Sequence, residues 1–187
     1  MSQRSRSFLS SLSALSVLLF VATTTLSAQR PQTREGFWAN LGLGWATLGC
    51  DDCDDRIEGA GAALALGGTL SPKWQLGGAV NNWYKSEDNT TLTVTLVSVV
   101  GKFYPAERAG FYLMGGLGVA SIDAQIGSDD LNVSGRETGT GILLGLGYDI
   151  RIGRNVSLTP FWNGVATKYD GGGDLNFGQL GLGITIH

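Results

Sequence analysis

The residues best suited to chemistry are two cysteines and four aspartates in the stretch GCDDCDDR, Gly49 to Arg56. A tetrahedral zinc site needs four nitrogen or sulfur ligands, whereas the chain has two cysteines in all and a single histidine, His187. The spacing also lacks the glycine and the glutamate of an EF-hand loop. A redox motif of the thioredoxin type would need a βαβ context, which the sequence does not show. The sequence therefore predicts no resident metal and no cofactor.

The N-terminus predicts an export signal. Arg4 and Arg6 precede a short apolar run from Leu12 to Ala22, and small residues close the segment at Ala28. The run is shorter than the ~20 residues that a membrane-spanning helix needs, so we expect cleavage rather than a retained anchor. These bounds divide the chain into a signal peptide over 1–28, an N-terminal segment over 29–36 and a single domain over 37–187.

Composition narrows the class of the exported domain. Without the signal, the chain has 159 residues and a formal net charge of −5, with no cluster of lysine or arginine. Such a chain is a poor nucleic-acid binder. Its 29 glycines follow no three-residue repeat, which excludes collagen.

Bulky apolar residues alternate with small or polar ones along most of this domain. From Phe37 to Thr47 the odd positions are mostly bulky and the even positions mostly small or polar, and seven further segments repeat the pattern. In one of them Leu92, Val94 and Leu96 alternate with threonines. Period two is the signature of a β-strand, and most segments reach the ~9–11 residues that cross a bilayer. The sequence predicts an all-β fold, an eight-stranded antiparallel up-and-down transmembrane β-barrel.

The chemistry of the two faces indicates which one meets lipid. A soluble barrel would fill its interior with the bulky face, but the other face is glycine, alanine, threonine, asparagine and glutamine, an unusually uncharged surface for water. We therefore expect leucine, isoleucine and valine to face lipid and the small residues to face a narrow lumen.

The connections between the strands alternate between short turns and longer, acidic loops. Short turns and longer outer loops are typical of outer-membrane barrels. The predicted short turns are 71–73, 105–110 and 152–155, and the predicted outer loops are 49–58, 86–89, 123–137 and 170–174. Their acidity makes divalent cations and surface ligands predicted partners.

A family resemblance rests on three motifs, Gly145–Arg151, Val156–Trp162 and Gln179–His187. With them the chain resembles small outer-membrane β-barrel proteins of the OmpA/OmpX type. The resemblance implies a place in the outer membrane of a Gram-negative cell, with outer-membrane lipid and the barrel-assembly machinery as partners. Members commonly end in an aromatic residue that this machinery reads, whereas this chain ends in Ile186-His187.

The compartment also bears on the cysteine loop. Outside the cytoplasm cysteines tend to be oxidised, so we expect a disulfide between Cys50 and Cys53. The neighbouring carboxylates are candidates for a weak contact with calcium or magnesium: Asp51, Asp52, Asp54 and Asp55.

We predict that the chain is not an enzyme. Barrel enzymes that modify lipids use a histidine beside a serine and a carboxylate at the outer rim, and His187 falls at the periplasmic end. The predicted function is structural or surface interaction through the acidic extracellular loops. The alternative is a narrow passive pore, with inward glycines leaving room for water, and a lipid-modifying enzyme is a weaker third. The predicted lumen-lining residues are Asn40, Gln75, Asn81, Asp149, Arg151, Asn163 and Gln179.

Overall fold

The computed structural model describes residues 34–50, 55–87, 90–128, 131–169, 171 and 173–187, without the side chains of 126–128 and 131–134. The predicted signal peptide lies outside these residues. Nine β-strands form within them: β1 (Phe37–Cys50), β2 (Ile57–Ser71), β3 (Trp74–Glu87), β4 (Thr90–Phe103), β5 (Phe111–Ser128), β6 (Leu131–Tyr148), β7 (Ile150–Arg151), β8 (Val156–Tyr169) and β9 (Asp174–Ile186). No helix in this part of the chain is long and apolar enough to cross a membrane.

The strands form one closed antiparallel sheet. Each strand from β1 to β5 pairs with the next along the chain, β8 pairs with β9, and β9 returns to pair with β1. The ring is completed where β6 pairs with β8. The two-residue strand β7 continues β6 past Asp149, so the described wall has eight strands. The predicted eight-stranded antiparallel barrel is confirmed.

The alternation of the sequence becomes the two faces of the wall. On β1 the side chains of Leu41 and Leu43 are 61% and 67% exposed, whereas Trp38 is fully buried. The same alternation on β9 exposes Leu180 and buries Gln179. Period-two patterning therefore places leucine outside and polar or small residues inside on these strands.

Strand β4 departs from the predicted facing. Val94 and Leu96, which we expected to face lipid, are fully buried inside the barrel, while Val97 and Val99 are 55% and 67% exposed. The prediction was wrong on this strand, because both of its faces carry bulky apolar side chains and the period alone does not distinguish them. Lys102 shares the face of Leu96 and is buried with it.

The hairpin of β5 and β6 extends beyond its neighbours at the outer end, the end opposite the start of β1. The segment 123–137, predicted as a loop, belongs to these strands except for residues 129 and 130, which lie outside the description. Asp123 lies opposite Arg136 across the ladder, and the two form an ion pair of 3.6 Å. A polar sequence can continue a strand above a membrane because backbone hydrogen bonds, rather than an apolar face, hold a hairpin together.

Candidate functional site: the filled interior of the barrel

A buried carboxylate organises the interior at the predicted periplasmic end, where β1 begins and β9 ends. Asp149 is fully buried at the junction of β6 and β7. The Tyr104 hydroxyl donates to its Oδ2 over 2.9 Å, and the Thr159 hydroxyl donates to its Oδ1 over 2.8 Å. His187 Nε2 lies 3.5 Å from Oδ2. These contacts compensate a charge that would otherwise be costly to remove from water.

Arg34 connects the segment before β1 to the same cluster. Its guanidinium carbon lies 3.5 Å from the centre of the Tyr104 ring, and its nitrogens donate to the carbonyls of Glu107 and Ala109. Burial lowers the pKa of Arg34, and the Asp149 carboxylate opposes that shift. An arginine remains protonated through such a change, so Arg34 places a fixed positive charge at the predicted periplasmic end of the barrel.

Hydroxyl and amide groups carry the network up the β8–β9–β1 side of the interior. The hydroxyls of Thr159 and Thr185 are 2.7 Å apart, and Asn40 Nδ2 donates to Thr185 Oγ1 over 2.8 Å. On the opposite side Gln75 can accept from the Tyr104 hydroxyl over 3.2 Å. The chain of contacts ties β1, β3, β8 and β9 together through side chains as well as through the backbone ladder.

Lys102 places a second positive charge inside the barrel. Its ammonium lies 4.2 Å from the centre of the Trp38 ring and 4.6 Å from that of Tyr112. The residue is 1% exposed. Desolvated cation–π contacts of this kind are worth about 2 kcal/mol, and Asp149 adds an electrostatic attraction. The aromatic rings therefore hold the ammonium in place of water.

Aromatic rings also occupy the space that inward glycines leave. A Cβ on Gly42 or Gly181 would overlap the Phe161 ring, and one on Gly147 would overlap Tyr112. Beside this packing, Asn163 donates to Asn81 over 2.9 Å across the barrel. The cavity between them measures about 10 Å³, room for about one water molecule. At Gly42, Gly147 and Gly181 an aromatic ring therefore takes the place of the missing side chain.

Towards the outer end the interior turns apolar. Its buried side chains there belong to six strands: Leu48, Trp83, Val94, Leu96, Leu143, Val165 and Phe177. These side chains belong to one hydrophobic cluster, and they lie nearer the outer end than the network around Asp149.

The predicted lumen-lining residues fall into two groups. Asn40, Gln75, Asn81, Asp149, Asn163 and Gln179 are buried within the barrel. Arg151 is half-buried at the periplasmic rim and donates to the carbonyl of Arg154 over 2.6 Å. Its predicted role in the lumen stays a prediction.

The cysteine loop is only partly within the described residues. Cys50 ends β1 and is disulfide-bonded, while Cys53, Asp51, Asp52 and Asp54 lie outside the description. Asp55 is exposed. Among the described residues no group of histidine, cysteine, aspartate or glutamate could hold a metal ion. The pairing with Cys53 and the weak cation contact stay predictions.

Sequence reasoning missed four members of the interior network: Arg34, Lys102, Tyr104 and His187. Arg34, Tyr104 and His187 lie outside the strands, so no alternation assigns them a side. The inward face of β4 could have been predicted from Lys102, because a lysine on a membrane-spanning strand is expected to face the interior. Leu96 lies on the same even-numbered face.

Comparison with known proteins decides the family. A family model described as "Outer membrane protein beta-barrel domain" matches residues 16–187. The chain belongs to this family. The name of the family places the barrel in the bacterial outer membrane. The exposed leucines on the outside of the barrel face the lipid of that membrane. No match was found among curated proteins.

Solved structures of other outer-membrane barrels share the fold. The surface protein NspA of Neisseria superposes with a TM-score of 0.60 at 12% identity, covering 83% of this chain and 99% of its own. Ail of Yersinia pestis gives 0.59 at 15% identity, with coverage of 82% and 100%. The N-terminal β-barrel domain of Pseudomonas aeruginosa OprF gives 0.51 at 15% identity, again with 82% and 100%. At these identities the likeness concerns the fold.

A disulfide from Cys50 to Cys53 should contribute modestly to stability. Replacing both cysteines by serine should lower the free energy of unfolding by less than the ~3 kcal/mol of a 15-residue loop, because the loop that the bond closes is much shorter. Mass spectrometry of the alkylated protein before and after reduction checks the bond itself. Two free thiols in the exported protein would contradict the pairing.

Proposed function

We propose that this protein is a closed outer-membrane barrel that acts through its extracellular end, as a structural or surface-interaction protein. The observation that carries the proposal is the filled interior. The cavity lined by Asn81, Lys102, Phe161 and Asn163 is about 10 Å³, and a cluster of apolar side chains that includes Trp83 lies on its outer side. The described interior therefore offers a solute no path along the barrel axis. We assign the function to the exposed surfaces instead.

The extended hairpin is the surface we propose for contact with partners. Among the described residues β6 pairs with β8 only from Gly139 onward, so 131–138 pair there on one side, with β5. At the base of this edge Gly171 N donates to Glu137 Oε1 over 2.7 Å. An unpaired strand edge offers backbone donors and acceptors to an extended segment of another protein.

The charge of the outer end bears on the kind of partner. Ail has been solved in complex with the heparin analogue sucrose octasulfate. The outer loops of this chain are rich in aspartate, as in Asp51 to Asp55, so their charge opposes a sulfated sugar. We propose a cationic partner or one bridged by divalent cations.

We also propose that the chain is not an enzyme. The one histidine lies beside Asp149, but the hydroxyl of Thr159 donates to the carboxylate rather than to the imidazole. A nucleophile of the serine type needs the hydroxyl on the imidazole. The pair is also buried inside the barrel, away from substrate.

A planar bilayer tests the closed interior. Mature protein refolded in detergent, and shown by circular dichroism to be β-rich, should give no unit conductance steps. Cells that display the wild-type protein should adhere to a surface coated with polylysine more than cells that display a variant in which a two-residue turn replaces 123–137. Regular conductance steps in the folded protein would instead support a narrow pore. The polar groups buried around Asp149 are the observation that favours this alternative.

A further inference from the structure

A groove crosses the outside of the barrel wall where β6, β8 and β9 meet. Two depressions of about 530 and 480 Å³ adjoin there, with Ile142, Ala166 and Asn176 common to both. Ile142 is 48% exposed and shares the outward register of Leu144. This stretch of the wall is therefore an indented surface rather than a smooth one.

The groove arises because the two outward residues that follow Trp162 on β8 are small. After Trp162 the outward positions of β8 are Gly164 and Ala166, and across the ladder Gly178 lies opposite Gly164. The Trp162 ring lies against Gly164, where a Cβ would come within 2.8 Å of the indole. Larger side chains, including Leu144, form the sides. The groove thus has a floor of small residues between apolar walls.

Two cationic side chains stand at the outer end of this groove. Lys168 lines the first depression and Arg56 lines the second. Arg56 is fixed by hydrogen bonds to Thr47 and Asn176, of 3.1 and 2.7 Å among others, which occupy four of its five N–H groups. Neither cation forms an ion pair with a described residue. Asp174, which lies opposite Lys168 on β9, is the one carboxylate in the lining.

We propose that the groove binds the acyl chains of an anionic lipid of the outer leaflet, with its phosphate groups on Arg56 and Lys168. The wall lies in a membrane, so lipid is what reaches the groove, and its small floor residues between apolar sides leave room for hydrocarbon. Two cations against one carboxylate favour a phosphorylated headgroup. Guanidinium and ammonium groups form strong charge-assisted bonds to phosphate.

Native mass spectrometry of the refolded mature protein tests the site. The probes are a synthetic bis-phosphorylated multi-acyl glycolipid and, for comparison, phosphatidylcholine. We expect one glycolipid to stay bound at collision energies that remove phosphatidylcholine. Arg56→Gln with Lys168→Gln should reduce the retained fraction about fivefold, as two exposed charge contacts allow. Ala166→Leu should reduce it by filling the groove while the charges remain.

Arg136→Gln is the matched control, since Arg136 is an exposed cation on the extended hairpin, paired with Asp123. It should retain glycolipid like the wild type, and every variant is compared only after circular dichroism shows a folded barrel. Equal retention of both lipids, or retention unchanged by Ala166→Leu and by the charge variants, would overturn the proposal. So would a protein dimer that Ala166→Leu dissociates, because the groove would then seat a second copy.

Discussion

Replacing Asp149 by asparagine should lower the free energy of unfolding by about 3–5 kcal/mol, the range for leaving a buried charge uncompensated. The substitution keeps the shape of the side chain but leaves Arg34 and Lys102 inside the barrel without their carboxylate. The Tyr104 and Thr159 hydroxyls also lose a charged acceptor. Urea unfolding in lipid vesicles, followed by tryptophan fluorescence, measures the change.

Asp123→Asn is the control for this result, because Asp123 pairs with Arg136 on the exposed hairpin. An exposed pair contributes about 0–1 kcal/mol, so this variant should unfold close to the wild type. Adding Lys102→Met to Asp149→Asn should recover part of the loss, because it removes a buried cation that the first substitution leaves uncompensated. An Asp149→Asn protein as stable as the wild type would mean that water already solvates this carboxylate.

The same residues show what the sequence could and could not predict about the interior. Asn40, Asn81 and Gln179 were assigned to the inside because each lies in a strand with one bulky and one small face, and parity then decides the side. In the outer half of β4 the inward face is apolar and the outward face carries threonines, so the prediction reversed Val94 and Leu96. The interior changes from polar to apolar along the barrel, so a prediction that assigns one kind of side chain to each face of a strand fails there.

The alternation of residue types along the strands could not predict which residues cluster around Asp149. Arg34 precedes the first strand, Tyr104 follows β4, and His187 follows the last strand. They meet because a closed barrel brings its first and last strands together, and the turns at one end then lie around a common space. Closure is a property of the whole sheet, so no local stretch of sequence contains it.

Phe161 is a buried aromatic side chain whose loss should weaken the barrel strongly. Its ring lies in the notch formed by Gly42 and Gly181, and it is 4% exposed. Phe161→Ala should cost about 3–5 kcal/mol, the usual range for deleting a buried ring. Gly42→Val in the wild-type background should cost about 1–3 kcal/mol, because the added methyl groups collide with the ring.

The two substitutions should not add, since they concern the same space. Gly42→Val made together with Phe161→Ala should destabilise by less than the sum, because valine then fills the void that the ring leaves. Gly115→Val is the control: this outward glycine has no neighbour within 4 Å of a Cβ, and the change should be tolerated. Strict additivity in urea unfolding would show that the ring can leave the notch, and the glycine would then serve the backbone rather than the packing of a closed interior.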